Sequence, residues 1–431
     1  MVMGTRFFTG LIISLLVLAT TNAQTVDSLP PISASKSYSN YSNVIGWKNG
    51  RTPKAPPGFT VTKYADGFKN PRWMYVTPNG DVLVAQSNSN YPLWKKIGAW
   101  FIGASKSKSF KNSADLITLL RDVDKDGSPD ERTVFLEKEL DQPFGMLVLD
   151  DWFYVANTNG LLRFPYKPGQ LQISGKAEKI TTLPAGKANR HWTRNIIANK
   201  DGSKIYIAVG SGSNVGEKGA EAEFMKAAIL EIDPDGAGLR IFASGLRNPV
   251  GMDWNPVTGD LWTAVNERDG LGNNLVPDYL TSVRENGFYG WPYLYYGQNE
   301  DPRVKWVPSA QVGNTLMPDV NVGPHTASLG LTFYTGDSFP EKYRNGAFVV
   351  QHGSWNRQVL SGYKVVFVPF ENGEQTGKPE DFLTGFIVDG KKDEVYGRPV
   401  GAAILPDGSM LISDDVTNRI WRISWDGKRG M

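Results

Sequence analysis

The chain has three histidines, and each sits beside small or polar residues at the edge of a short apolar run: His191 in "RHWTRNIIANKDG", His325 in "GPHTASLG" and His352 in "VVQHGSW". A neutral imidazole is well matched to accepting a proton near ambient pH, because its ordinary pKa is about 6.5. Arginines recur at comparable places: Arg72, Arg194, Arg247, Arg357 and Arg398. Guanidinium groups arriving from several directions suit a planar anion with several carboxylates, each gripped through two parallel N–H···O bonds. "VNERDGLGNN" offers Glu267 and Asp269 beside Gly270, with Asp278 following, oxygen donors of the kind that hold Ca²⁺. "DVDKDGSPDE" sets Asp122, Asp124, Asp126 and Asp130 in the pattern that starts an EF-hand loop, although Thr133 stands where its bidentate glutamate belongs. A structural calcium loop is the most that string supports.

Such residues do chemistry together only if a scaffold gathers them. One pattern returns six times: "NPRWMYVTPNGDVLVAQSN", "QPFGMLVLDDWFYVANTNG", "HWTRNIIANKDGSKIYIAVGSGSN", "NPVGMDWNPVTGDLWTAVNE", "ASLGLTFYTG" with "GAFVVQHGSWN", and "RPVGAAILPDGSMLISDD". Each opens with Pro or a small residue, runs through an apolar strand, turns, commonly at Asn-Gly or Asp-Gly, and returns in a second strand. Repeats of this kind predict an all-β fold, a six-bladed β-propeller with four-stranded blades over residues 58–428. "PPGFTVTKYADGF" reads as an N-terminal strand that closes the last blade and protects its edge. A β-sandwich is the alternative architecture. In a propeller the loops entering the innermost strands meet at one mouth. His191, equivalent to Pro71, Pro143, Pro249 and Pro399, then stands near the other histidines and the arginines.

Net charge is +2 and 21% of the 431 residues are charged, which leaves no global field for nucleic acid. The chain has no cysteine, excluding disulfides and thiolate metal sites. Residues 1–23 read as a cleaved signal peptide, with an early arginine, an apolar run from Phe7 to Ala19 and a "TNA" end. That predicts an exported protein, periplasmic or extracellular. Residues 24–57 read as a flexible leader rich in Ser, Pro, Asn and Tyr. The stretch 91–116 interrupts the first repeat, either as a packed insertion or as a docking surface for a partner or membrane.

The combination "HWTRNIIANKDGSKIYIAVGSGSNVGE", "GLRNPVGMDWNPVTGDLWTAVNERDGLG", "HTASLGLTFYTG", "QHGSWNRQVLSGYKVVFVPF" and "YGRPVGAAILPDGSMLISDD" resembles the sorbosone dehydrogenase-like branch of the soluble quinoprotein sugar dehydrogenases. The resemblance implies pyrroloquinoline quinone (PQQ) and Ca²⁺ at the propeller mouth, and oxidation of a sugar hydroxyl or hydrated aldehyde. It implies His191 as the catalytic base, and Arg247, Asn248 and Arg398 as cofactor contacts; Arg357 is the substitute for a family lysine, and Arg194 joins them from the arginine set at the rim. It also puts Gln142 toward the substrate, where His325 and His352 join it from their place at the rim, and Asp269 and Gly270 toward the metal, with Glu267 of the same loop. The sequence departs from the family where Val400 replaces a second arginine and where the family lysine has no clean counterpart. Implied partners are a small-molecule sugar and a soluble or membrane-associated electron acceptor. Two other functions remain open on the fold alone: a calcium-dependent lactonase-type hydrolase and a non-catalytic carbohydrate-binding propeller.

Overall fold

The computed structural model describes residues 29–32, 38–187, 189–305, 313–389 and 393–427. The expected signal segment, 1–23, lies outside them. Contacts divide the chain into residues 1–31 and 32–431, and every element below belongs to the second unit.

Alternating apolar residues and tight turns build six four-stranded antiparallel sheets among the described residues. Their innermost strands are β1 (Pro71–Val76), β2 (Met146–Leu149), β3 (Arg194–Ala198), β4 (Pro249–Trp254), β5 (Ser328–Phe333) and β6 (Pro399–Ile404). Five sheets run outward in chain order from that strand. The sixth takes its outermost strand from far upstream: Phe59–Asp66 pairs antiparallel with Arg419–Trp425, Phe59 opposite Trp425 and Asp66 opposite Arg419.

Successive inner strands approach so closely that side chains must be absent at the crossings. A Cβ on Gly251 of β4 would lie 2.4 Å from the Leu331 nitrogen of β5, and one on Gly330 would lie 2.7 Å from the Val400 carbonyl of β6. These clashes explain the glycine that recurs inside the repeated strings. Between β3 and β4 the same junction is a hydrogen bond, Asn195 Nδ2 to the Val250 carbonyl at 2.9 Å. Trp73 of β1 stacks on Phe144 just before β2, ring centroids 4.7 Å apart, and Gly401 of β6 lies against Trp73. Apolar clusters fill the spaces between neighbouring sheets, as Phe135, Phe153 and Phe164 do between the first and second. Burial of apolar surface, at about 25 cal/mol per Å², stabilises these interfaces.

The stretch read as a flexible leader is tied down over residues 38–57. Asn43–Val44 pairs in parallel with Glu394–Val395. Trp47 is buried, donates from Nε1 to Asp414 Oδ2 at 2.8 Å, and stacks on Tyr396. Polar composition concealed these few aromatic anchors. The insertion 91–116 is ordered as well. It forms α1 (Leu93–Phe101) and a short 3₁₀ turn at Ala104–Ser107 before entering the third strand of the first sheet. Among the described residues no helix is long and apolar enough to cross a membrane.

Candidate active site

The loops leading into the inner strands enclose a cavity of about 440 Å³, within the range of small-molecule sites. His191, His325 and His352 all line it, with Arg72, Arg190, Arg247 and Arg398, and so do Asn248, Glu267, Asp269 and Asp278. The sequence-based gathering of histidines and arginines at one mouth is therefore what the structure displays for most of the set.

His191 stands on the loop before β3. Its Nδ1 lies 2.9 Å from the Ser211 carbonyl and 3.1 Å from Ser211 Oγ. A carbonyl only accepts, so Nδ1 carries the hydrogen and Nε2 keeps its lone pair. Burial, followed by the positive charges of Arg247 and Arg190, holds the imidazole pKa well below its ordinary value. His191 is thus a neutral acceptor over a wider pH range than an unperturbed imidazole. Behind it, a Cβ on Gly210 would meet Asn248 Oδ1 at 2.3 Å and His191 Cβ at 2.5 Å. The bare glycine lets both side chains approach.

His352 is held differently. Its Nε2 donates to Asp415 Oδ1 at 3.0 Å, and Asp415 also receives Arg72 Nη1. Burial and the neighbouring Arg398 push the His352 pKa down to about 3 despite Asp415. Asp415 itself is held well below the carboxylate range by His352 and Arg72, against the opposing effect of burial. His325 donates from Nε2 to the Gly272 carbonyl at 2.9 Å.

The arginines are less free than their number suggests. Arg247 is spent on protein acceptors: the Glu267 and Asn266 carbonyls at 2.6 and 3.2 Å, the Asn214 carbonyl and Oδ1 at 3.1 and 2.8 Å, and Asp269 Oδ2 at 3.3 Å. Arg398 donates to the His352 and Gly353 carbonyls at 3.1 and 2.9 Å and to Ser109 Oγ at 3.0 Å. Arg190, which sequence reading missed although it directly precedes His191, meets Asp269 Oδ2 at 3.0 Å with its side chain 39% exposed.

Several expected site residues lie elsewhere. Arg194 is fully buried, and its guanidinium serves the carbonyls of Pro184, His191 and Thr193 and the Asn189 Oδ1. It holds the His191 loop, whose carbonyls have no strand partner, and burial pulls its pKa down to about 9. Arg357 donates to the Asn273 carbonyl and Asn274 Oδ1, both at 3.1 Å, and lines a separate groove. Gln142 is buried with φ 51° and donates from Nε2 to the Asn88 carbonyl at 2.8 Å, off the cavity wall. Gly270 is not part of the wall either.

Calcium at the 267–270 loop fails a direct test. The Asp269 carbonyl already accepts Asn214 Nδ2 at 2.9 Å and Arg303 Nη1 at 2.7 Å, while its carboxylate is shared by Arg190 and Arg247. The carboxylate oxygens left without a hydrogen bond there, Asp269 Oδ1 (3.8 Å from His325 Nδ1) and the buried Glu267 Oε1, fall short of the six to eight oxygens Ca²⁺ takes. Asp122, Asp124 and Asp130 do bring carboxylate oxygens within 4.8 Å of one another, without Asp126. Those carboxylates cap their own turn, accepting from Val123, Asp124, Asp126 and Gly127 nitrogens.

An anionic cofactor with a ring N–H fits better. Arg72, Arg190 and Arg398 border the cavity, and Asn248 Oδ1 is a buried acceptor with no partner. One further part of the wall has no precedent in the repeats: Tyr41, Tyr91, Phe110 and Trp355. Tyr41 stacks on Trp355 at 5.9 Å and meets Phe110 edge-on at 6.4 Å. Trp192 adds a ring from the His191 loop, with Arg72 over its face.

Residues 51–421 match the family described as a domain of unknown function, DUF7133. The chain is 26% identical over 302 residues to a pyrroloquinoline quinone-dependent pyranose dehydrogenase of Coprinopsis cinerea, covering 56% of this chain and 41% of that protein. It is 31% identical over 261 residues to the aldose sugar dehydrogenase YliI of Escherichia coli, 59% of each. It therefore spans well under two thirds of either relative. Among solved structures, the holo form of the pyranose dehydrogenase PQQ domain from Coprinopsis cinerea superposes with a TM-score of 0.69 at 19% identity, over 90% of this chain and all of that one.

Proposed function

The chain belongs to the DUF7133 family, and from that premise we propose that it is an exported quinoprotein oxidoreductase of the sorbosone dehydrogenase-like kind, which oxidises a sugar hydroxyl or hydrated aldehyde. The six sheets are read as the blades of a propeller, with Phe59–Asp66 closing the last. The observation that carries the reading is His191. Its Nδ1 hydrogen is committed to Ser211 and its Nε2 lone pair is left free in a cavity bordered by arginines.

Bound PQQ would supply a two-electron acceptor that the side chains of this protein lack. The chain's own part is acid–base and electrostatic. His191 Nε2 takes the proton from the substrate hydroxyl, and Arg72, Arg190 and Arg398 hold negative charge opposite it. Asn248 Oδ1 accepts a ring N–H or a sugar hydroxyl. Arg194 positions the loop that carries His191. No step is assigned to Ca²⁺, because the Asp269 carbonyl, one of the two expected to hold it, is already occupied by protein donors. Export rests on residues 1–23, and the electron acceptor is a soluble or membrane-associated partner.

Reconstitution tests this reading. Purified protein given PQQ should reduce a dye with an aldose or sorbosone-type aldehyde as donor, and omitting PQQ should abolish the signal. Dye reduction that is indifferent to PQQ would remove the proposal. A chelator applied to the loaded enzyme should leave most of the activity, because the Asp269 carbonyl and Oδ2 are already taken by protein donors.

A further inference from the structure

The outward face of α1 is assigned to nothing above. Leu93, Trp94, Ile97, Trp100 and Phe101 share one side of that helix, within an arc of about 120° at 100° per residue. In a helix packed on a protein, such an arc faces inward. Here it faces out: Trp94, Trp100 and Phe101 keep 68%, 67% and 75% of their surface, and Leu93 and Ile97 are exposed with them. The buried residue of the helix is Ala99, on the opposite side. Ile102 continues the apolar surface past the helix end. Elsewhere among the described residues, exposed large apolar side chains such as Leu171, Val257 and Met317 are scattered along the chain, as on an ordinary surface.

Charge around this face is one-sided. From Val82 to Ala114 there is no Asp or Glu, while Lys95, Lys96, Lys106, Lys108 and Lys111 supply five positive charges. Lys95 Nζ lies 5.9 Å from the Tyr91 ring and 5.5 Å from the Trp94 ring. Lys106 and Lys111 are exposed.

We propose that α1 is an interfacial anchor that seats the protein on an anionic lipid bilayer. Tryptophan, phenylalanine and leucine enter the boundary between headgroups and acyl chains, and the lysines stay wet among anionic headgroups. Lys95 and Lys96 lie outside the apolar arc, and with five lysines and no carboxylate from Val82 to Ala114 the surface around it is matched to anionic headgroups. The chain on either side of α1, at Tyr91 and at Ser107, Ser109 and Phe110, lines the cavity. Seating α1 on lipid therefore brings the cavity wall beside the membrane surface. The inference rests on the surface alone and not on the reaction assigned to the cavity.

Vesicle flotation tests it, using protein recovered from the exporting cell so that any N-terminal segment is common to all samples. The wild type should float with phosphatidylglycerol-containing vesicles and far less with pure phosphatidylcholine. Brominated acyl chains should quench part of its tryptophan emission. A Trp94→Ala, Trp100→Ala, Phe101→Ala variant should lose roughly tenfold or more in partitioning, with its melting temperature unchanged because the removed surface is already in water. A Lys95→Gln, Lys106→Gln, Lys111→Gln variant should lose selectivity for the anionic lipid, and raised salt should mimic it. A wild type that stays at the bottom of the gradient overturns the proposal, and so does a triple variant that floats equally well. Light scattering that shows concentration-dependent dimers abolished by the triple variant, with no flotation of the wild type, assigns the face to a second copy instead.

Discussion

Two walls of the cavity are built on different principles. The His191 wall comes from entrances to inner strands and is backed by regular sheets: Ser211 fixes the imidazole, Arg194 fixes its loop and Gly210 packs directly behind it. The second wall, of Tyr41, Tyr91, Phe110 and Trp355, comes from the leader, the insertion and a loop of the fifth sheet, joined mainly by ring contacts. Arg398 links the two kinds of structure, reaching the 352–353 carbonyls on one side and Ser109 of the insertion on the other. The first wall fixes atoms to hydrogen-bond precision, as proton transfer demands. The second offers broad flat surface, which suits holding a ring and excluding water. The comparison predicts that damage to the first wall appears in kcat, and damage to the second in KM.

The sharpest break is His191→Ala. Loss of a positioned base should lower kcat/KM by roughly 10²–10⁴, carried by kcat, with cofactor absorbance and melting temperature close to wild type. A destabilised but fully active variant would reduce His191 to a structural residue. Next in size is Gly210→Ala, which removes no functional group. Its methyl group must displace His191 or Asn248, so kcat/KM should drop by roughly tenfold to a hundredfold, the usual effect of misplacing a catalytic group by about an ångström. Unchanged kinetics would mean that the His191 wall yields more readily than its packing indicates.

How far such a site can be read from sequence follows the same division. The six strand pairs and the upstream strand that completes the sixth sheet were legible, because turn residues and alternation are local signals. His191, Arg247 and Arg398 were legible because equivalent positions in a repeat become neighbours, and Asn248 through the family resemblance of its "RNP" string. Arg194 and Arg357 share that one-dimensional address, yet their guanidinium groups go to loop carbonyls. The direction of a side chain at a strand entrance depends on which carbonyls nearby lack partners, and spacing carries no record of that. Arg190 could have been found as a second cation beside His191. Tyr41, Tyr91 and Phe110 could not, since leader and insertion meet only in the folded chain and have no counterpart in other repeats.

Acid titration separates the walls by another route. His352 has a pKa of about 3 in the folded protein against about 6.5 unfolded, so the unfolded chain binds more protons between those values. The stability it contributes is complete above pH 6.5 and is lost as pH falls toward 3. Asp415, also depressed in the fold, acts in the same sense at lower pH. Asp414 works oppositely: burial raises it to about 6, so its contribution is present below about pH 4 and is lost as pH rises through 6. Melting temperatures of wild type and His352→Gln measured from pH 7 to pH 4 should converge as acid removes the wild type's advantage. The acid limb of kcat/KM should lie well below the ordinary imidazole value of about 6.5, because His191 is also held neutral by burial and by Arg247 and Arg190. A limb at 6.5 would show that neither burial nor the cavity arginines act on it.

The smallest effect belongs to the aromatic wall. Trp355 stacks on Tyr41 with ring planes 16° apart, and its carbonyl accepts the Asn40 nitrogen at 2.7 Å, a bond that Trp355→Ala retains. The substitution thus removes a flat surface without releasing the backbone. An aromatic pair contributes about 0.5–1.5 kcal/mol beyond its buried area, which corresponds to roughly a two- to twelvefold change in an equilibrium constant. KM for the sugar should rise within that range while kcat stays within about a factor of two, since no proton or hydrogen bond at His191 is touched. Steady-state kinetics on two donors, one a pyranose and one a small aldehyde with no ring to stack, would sharpen the result. The KM penalty should be present for the first and nearly absent for the second. Equal penalties would assign Trp355 to holding the leader in place, and a kcat loss approaching that of His191→Ala would dissolve the distinction between the two walls.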